Sequence, residues 1–137
     1  MPRLQVVLLA LAALMSLFFG MRYLRAREFM PYHAVVAGRP WLELDVGVRE
    51  IILGMLKIIG GCFTAYGFTL LWLLVPLGRD ESWSVWATLS ITVTALAPTL
   101  YVTINLRRFE PKAPTPVAPA AIVLILVLLG LGSGLFV

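Results

Sequence analysis

Lys57 is the one charged side chain set inside an apolar stretch of this chain, Ile51-Ile-Leu-Gly-Met-Leu-Lys-Ile-Ile-Gly-Gly61. An ammonium in such a setting either stretches its alkyl stem toward polar surroundings or serves a ligand or a proton. Counting about 20 residues back from Val75, at about 1.5 Å each, puts the far edge of an apolar core near Leu56. Lys57 therefore stands at a boundary, and two readings stay open: structural pairing or snorkelling, and a ligand- or proton-handling role. Glu50, Gly54, Lys57, Gly61 and Ala65 fall on one helical stripe. That stripe is expected to point at neighbouring helices, because small residues let backbones approach.

His33 is the only side chain whose unperturbed pKa lies near neutrality. Glu28 precedes it by five residues, a spacing that matches no metal or catalytic-triad signature. It is either a surface histidine without a chemical duty or an acid–base group working with Glu28 or Glu43. Hydroxyls supply the remaining polar chemistry. Thr88, Thr92, Thr99 and Thr103 recur at helical spacing with Ala95 between them, and Ser90, Thr94, Ala97, Tyr101 and Asn105 form a second row. Such hydroxyls can bond the carbonyl four residues back and need no other partner, so a packed central helix and a polar-lined cavity are both open. Lys57, Glu50, His33, Thr99 and Thr103 together make a candidate polar site at one membrane surface.

No catalytic residue is assigned. The single cysteine, Cys62, and the single histidine exclude disulfide chemistry within the chain and a multi-histidine or cysteine metal site. There is no HExxH, no GxSxG and no phosphate-binding glycine loop, so no metal and no cofactor is expected. No Asp or Glu lies in the middle of an apolar block. This weighs against a proton-coupled exporter built on an embedded carboxylate.

The elements that must position these groups are long apolar blocks. The 137 residues are 61% hydrophobic and 13% charged, with mean hydropathy +0.95, against about a quarter charged in soluble domains. The expected fold is all-α, an integral membrane four-helix bundle in one domain, with helices at about 4–24, 46–75, 83–106 and 118–137. The first block ends in Arg22, Arg25 and Arg27 without a small-x-small site, so it is expected to remain as a helix rather than leave as a signal peptide. Residues 25–47 contain Pro31, Gly38, Pro40 and Gly47 and are expected to break into short pieces at headgroup level. Asp45 is a plausible N-cap, the second block is expected to stop at Pro76-Leu-Gly78, and residues 78–82 make a tight hairpin. The seam between helices is expected at Gly54, Gly61 and Ala65, with Gly60 and Thr64 flanking it. Gly130 and Gly134 form a GxxxG that serves either a neighbouring helix or a second copy of the chain. The second and third blocks are expected to be a central hairpin with an anchor at each end.

Charge distribution sets the orientation. The connections after the first and third helices hold Arg22, Arg25, Arg27, Arg39, Arg49, Arg107, Arg108 and Lys112, against Arg3 and Arg79 on the other side. By the positive-inside bias both termini are outside. A net charge of +4 beside apolar blocks points to anionic lipid headgroups rather than nucleic acid, with Arg22, Arg25, Arg27, Arg107 and Arg108 as the binding groups.

Phe29-Met-Pro-Tyr-His33, Trp41, Leu56-Lys-Ile-Ile-Gly-Gly61 and Glu81-Ser-Trp83 after a short basic turn resemble small four-helix bacterial inner-membrane proteins, similar in plan to the DoxX-like group. The resemblance implies the four-helix plan and carries neither an activity nor site residues. Three expectations follow from the chain as a whole. It is an accessory, scaffold or lipid-interacting membrane component, with membrane lipids and a homo-oligomer or larger complex as partners. Alternatively it is a small oligomeric transporter lined by the hydroxyl rows and Lys57, or an enzyme acting on a lipid-like substrate.

Overall fold

The computed structural model describes residues 3–135. Among them the chain is helical and strand-free: α1 (Arg3–Leu24), α2 (Pro31–Ala37), a single 3₁₀ turn (Trp41–Glu43), α3 (Val46–Gly78), α4 (Ser82–Phe109) and α5 (Val117–Leu135). Four of these, α1, α3, α4 and α5, are long and apolar enough to cross a membrane. Within water-free lipid a segment must satisfy its backbone internally, which is why each apolar block closes into one continuous helix. At about 1.5 Å per residue α3 is about 50 Å long and α4 about 42 Å, longer than the roughly 30 Å hydrocarbon layer. Their surplus carries the polar ends, Arg49 and Glu50 on α3 and Arg107 and Arg108 on α4.

Boundaries follow the expected blocks with two adjustments. Pro76 falls within the last turn of α3, which runs on to Gly78 rather than stopping at the proline. Proline removes a donor at its own position but leaves the following turn free to close, and the reversal comes at Asp80, in the left-handed region at φ 55°. Asp45 occupies the N-cap of α3, but its side chain makes no capping bond. The final two residues of the expected fourth span, 136–137, lie outside the described residues. Between α1 and α3 the chain breaks as its prolines and glycines require. Pro31 opens α2, and Gly38 closes it at φ 63°, its N–H bonding the Ala34 carbonyl.

The helices form a ring in which α1 touches α3 and α5, and α4 touches α3 and α5. The most extensive contact is between α1 and α3, so the expected central hairpin of α3 and α4 is corrected to an α1–α3 pair. The reason is visible in the glycines. A Cβ on Gly60 would sit 2.7 Å from the Leu24 amide nitrogen and 2.8 Å from the Gly20 carbonyl oxygen. One on Gly67 would lie 2.9 Å from the Ala13 carbonyl oxygen. Gly54 and Gly61 have nothing within 4 Å. The seam is therefore Gly60 and Gly67 against Gly20 and Ala13, on the face flanking the expected Gly54–Gly61–Ala65 stripe, which points outward. Gly130 and Gly134 close on Leu9 and Gln5 of α1, so the GxxxG is filled within the molecule.

The main core runs through Leu9, Ala12, Ala13, Tyr66, Leu70, Leu96 and Val127. Ser84, Thr88, Thr92 and Thr103 form the buried stripe of α4, whereas Ser90, Thr94 and Tyr101 face outward. Thr88 and Thr94 donate to the carbonyls of Ser84 and Ser90, at 2.7 and 2.8 Å. Thr92 and Tyr66 share a hydroxyl bond of 3.1 Å, which ties α4 to α3. A second cluster, Tyr23, Met30 and Leu56, folds the α2 segment over the C-terminal end of α1.

Candidate functional site

Lys57 projects toward the end of α1. Its ammonium donates to the Leu24 carbonyl, and to the Ala26 carbonyl at 2.6 Å. Leu24 is the last residue of α1, and the final carbonyls of a helix have no partner within it. Lys57 thus caps α1 and places its charge where the helix dipole favours a cation. Its position one turn before Gly60 makes this possible, because the glycine seam brings the backbones together there.

His33 is likewise committed to a cap. Its Nδ1 accepts the Met30 backbone N–H at 3.1 Å, and the His33 backbone N–H donates to the Met30 carbonyl at 2.8 Å. Burial pushes its imidazole pKa below the usual value, which favours the neutral ring that can accept this bond. Its ring lies against Phe29 and Tyr32. Glu50 is exposed on the first turns of α3. The expected single polar pocket is therefore divided: Lys57 and His33 finish helix ends, while Thr99 and Thr103 line a different space.

That space is a cavity of about 230 Å³ at the centre of the ring, toward the α1 C-terminus. Ser16, Phe19 and Tyr23 of α1 contribute one wall, Ile59 and Phe63 of α3 another. Pro98, Thr99, Val102 and Thr103 come from α4, Ala120 and Val123 from α5, and Tyr32 closes the loop end. Its three small hydroxyls are already used. Ser16 donates to the Ala12 carbonyl, Thr99 to Ala95 and Thr103 to Thr99, each at 2.8 Å. The walls are consequently apolar, except at one end, where the Tyr23 and Tyr32 hydroxyls meet at 2.9 Å. Burial, then the adjacent Tyr23, raise the Tyr32 phenol pKa, keeping it a neutral donor. Were such a space sealed and empty it would cost roughly 5 kcal/mol at about 24 cal/mol per Å³. It is not sealed. Ile59 on α3 and Pro98 and Val102 on α4 are exposed as well as lining, so the mouth opens sideways between α3 and α4.

Beside it, on the outside of the α2 segment, lies a shallow basin lined by Arg22, Arg25, Arg27, Glu28, Phe29 and Trp41. Basin and cavity share a wall, since Arg22 and Pro31 line the first and their neighbours Tyr23 and Tyr32 line the second. The ring of four antiparallel-connected spans carries Arg107 and Arg108, at the end of α4, to this same end of the bundle. Trp83 and Trp86 sit at the opposite end, with the Trp83 indole donating to Glu81 at 2.5 Å.

Sequence reasoning missed the tyrosine pair, because tyrosines near a span end read as interface anchors. It also missed Gln5, buried against Gly134. Comparison with protein-family models, curated proteins and solved structures finds no match, so this arrangement stands on the chain's own residues.

Proposed function

We propose that the chain is a lipid-interacting accessory or scaffold component of a bacterial inner membrane, both termini outside, that holds anionic headgroups at its cytoplasmic end. The arginine basin carries this reading. Three guanidiniums from six consecutive residues surround one concavity with the apolar ring of Phe29 and the amphipathic ring of Trp41, and Arg107 and Arg108 add charge at the same level. Guanidinium forks match phosphate oxygens two at a time. Basic concavities at the cytoplasmic ends of spans are a recurrent headgroup site. Glu28 also lines the basin and limits its net charge. With Lys57 and His33 occupied in caps, no pair of groups here resembles a general acid and base, which supports binding over catalysis.

Replacing Arg22, Arg25 and Arg27 with Gln tests the proposal. At about 1 kcal/mol per basic residue near an anionic surface, the preference for phosphatidylglycerol over phosphatidylcholine should fall on the order of a hundredfold. Lipid retained on the purified protein, measured by native mass spectrometry, reports this. An unchanged lipid complement in the triple variant would reject the headgroup reading.

A further inference from the structure

The cavity between α3 and α4 has three properties that specify an occupant. Its depth is consistent on three helices: Tyr23 to Ser16, Thr103 to Leu96 and Pro116 to Val123 each span seven residues, about 10 Å. Its volume is about 230 Å³, and about 150 Å³ already suffices for a benzene ring. One alkyl chain or one ring fits; the paired chains of a diacyl lipid do not. The walls repel water, which needs two to four polar partners, because Ser16, Thr99 and Thr103 are bonded to their own helices.

The third property is the polar end. Of the two phenol protons of Tyr23 and Tyr32, one is used in their mutual bond, and the other has no protein acceptor among the described residues. It remains available to an oxygen entering beneath the arginine basin. The mouth between Ile59 and Val102 opens at hydrocarbon level, a turn or less inside the boundary marked by Lys57. An acyl chain therefore enters sideways without crossing the headgroups.

Resting on the headgroup reading above, we infer that this cavity is a site for the single hydrocarbon chain of an anionic, one-tailed amphiphile. Its first oxygen-bearing group meets the Tyr23–Tyr32 pair, and its charge lies at headgroup level in the field of the neighbouring Arg22, Arg25 and Arg27. The chemistry is that of a monoacyl or isoprenyl phosphate rather than a bulk diacyl lipid. Selectivity comes from a volume that holds one chain and from the guanidiniums for its charge.

The test uses the full chain in phosphatidylcholine vesicles with a lysophosphatidate carrying a diazirine midway along its acyl chain. After illumination, the label is expected on α4 around Leu96–Thr103 and on α3 around Ile59–Phe63. Ala120→Phe fills the cavity from α5 and should lower this labelling roughly tenfold or more, the change for about 1.4 kcal/mol. Val102→Trp blocks the mouth from an exposed position that leaves the core intact, and should do the same. Label spread over outward residues such as Phe18 and Trp72, or cavity label unaffected by both variants, overturns the inference. Anionic preference without cavity labelling overturns the chain site and leaves the headgroup reading standing. Equal cavity labelling by lysophosphatidate and by a neutral monoacylglycerol probe overturns the headgroup reading and retains the chain site.

Discussion

Two residues singled out in the sequence, with structural and chemical readings both open, bond backbone in the structure, and each makes a specific expectation. Lys57 holds the carbonyls of Leu24 and Ala26, so Lys57→Met should free the end of α1 while leaving the bundle assembled. The cost is about 1 kcal/mol or less, the range for a cation at an exposed helix C-terminus. Hydrogen exchange should quicken at amides 24–30 and nowhere else; unchanged exchange there would show that the cap carries no weight. His33 accepts the Met30 N–H only when neutral. Its folded pKa lies below the ordinary value of 6.5, so the unfolded segment takes up a proton first as pH falls. The stability of α2 from this group is complete above pH 6.5 and declines as pH drops through the folded value. Exchange at Met30 should therefore rise in mild acid, and His33→Gln, which keeps an acceptor at the N3 position, should abolish the pH dependence. Persistence of the dependence in the Gln variant would assign it elsewhere. The sequence marked both residues but not their partners. A backbone carbonyl has no identity in the sequence, and which helix end lies nearby is a matter of tertiary packing.

Among the helices, lengths were legible and faces were not. Four apolar runs bounded by arginines, prolines and glycines gave spans close to those observed, because a bilayer admits few lengths. The packing face of α3 was harder. Gly60 and Gly61 are adjacent in sequence but about 100° apart around the helix, and either stripe offers small residues. What selects Gly60 and Gly67 is the complementary surface of α1, Gly20 and Ala13, which no periodicity within α3 encodes. A comparison of neighbours follows. Gly60→Ala forces a methyl against the Leu24 and Gly20 backbones, and should destabilise by about 1–3 kcal/mol as overpacking does. Gly61→Ala meets nothing within 4 Å and should be neutral or slightly stabilising through helix propensity. Unfolding midpoints in mixed micelles separate the two; equal effects would mean that the glycine seam is not the α1–α3 contact.

For the whole molecule, the packing ring and the charge pattern converge on one arrangement. Gln5 near the start of α1 lies against Gly134 near the end of α5, so both ends of the described chain share one side of the bundle. The Tyr23–Tyr32 pair and the basin arginines occupy the other. Eight basic residues flank that second side against two on the first, and the orientation proposed above, from the positive-inside bias, turns it toward the cytoplasm. In that proposed orientation the amphiphile site faces the inner leaflet, and its ligand would be made or delivered there. Single-cysteine reporters decide this, in a Cys62→Ala background because Cys62 is itself exposed on α3. Asp80→Cys, in the α3–α4 turn, should react with an impermeant maleimide in intact spheroplasts. Lys112→Cys, between α4 and α5, should react only after permeabilisation. The inverted pattern would reverse the orientation and move the site to the outer leaflet. Arg22, Arg25 and Arg27 should also be the residues that hold the first span in place: changing all three to Gln removes the steepest step in the charge bias while Arg3 remains at the start of α1. A mixed labelling pattern in that variant, with Asp80→Cys partly protected, is the outcome expected if the basin that binds headgroups is also what fixes the topology.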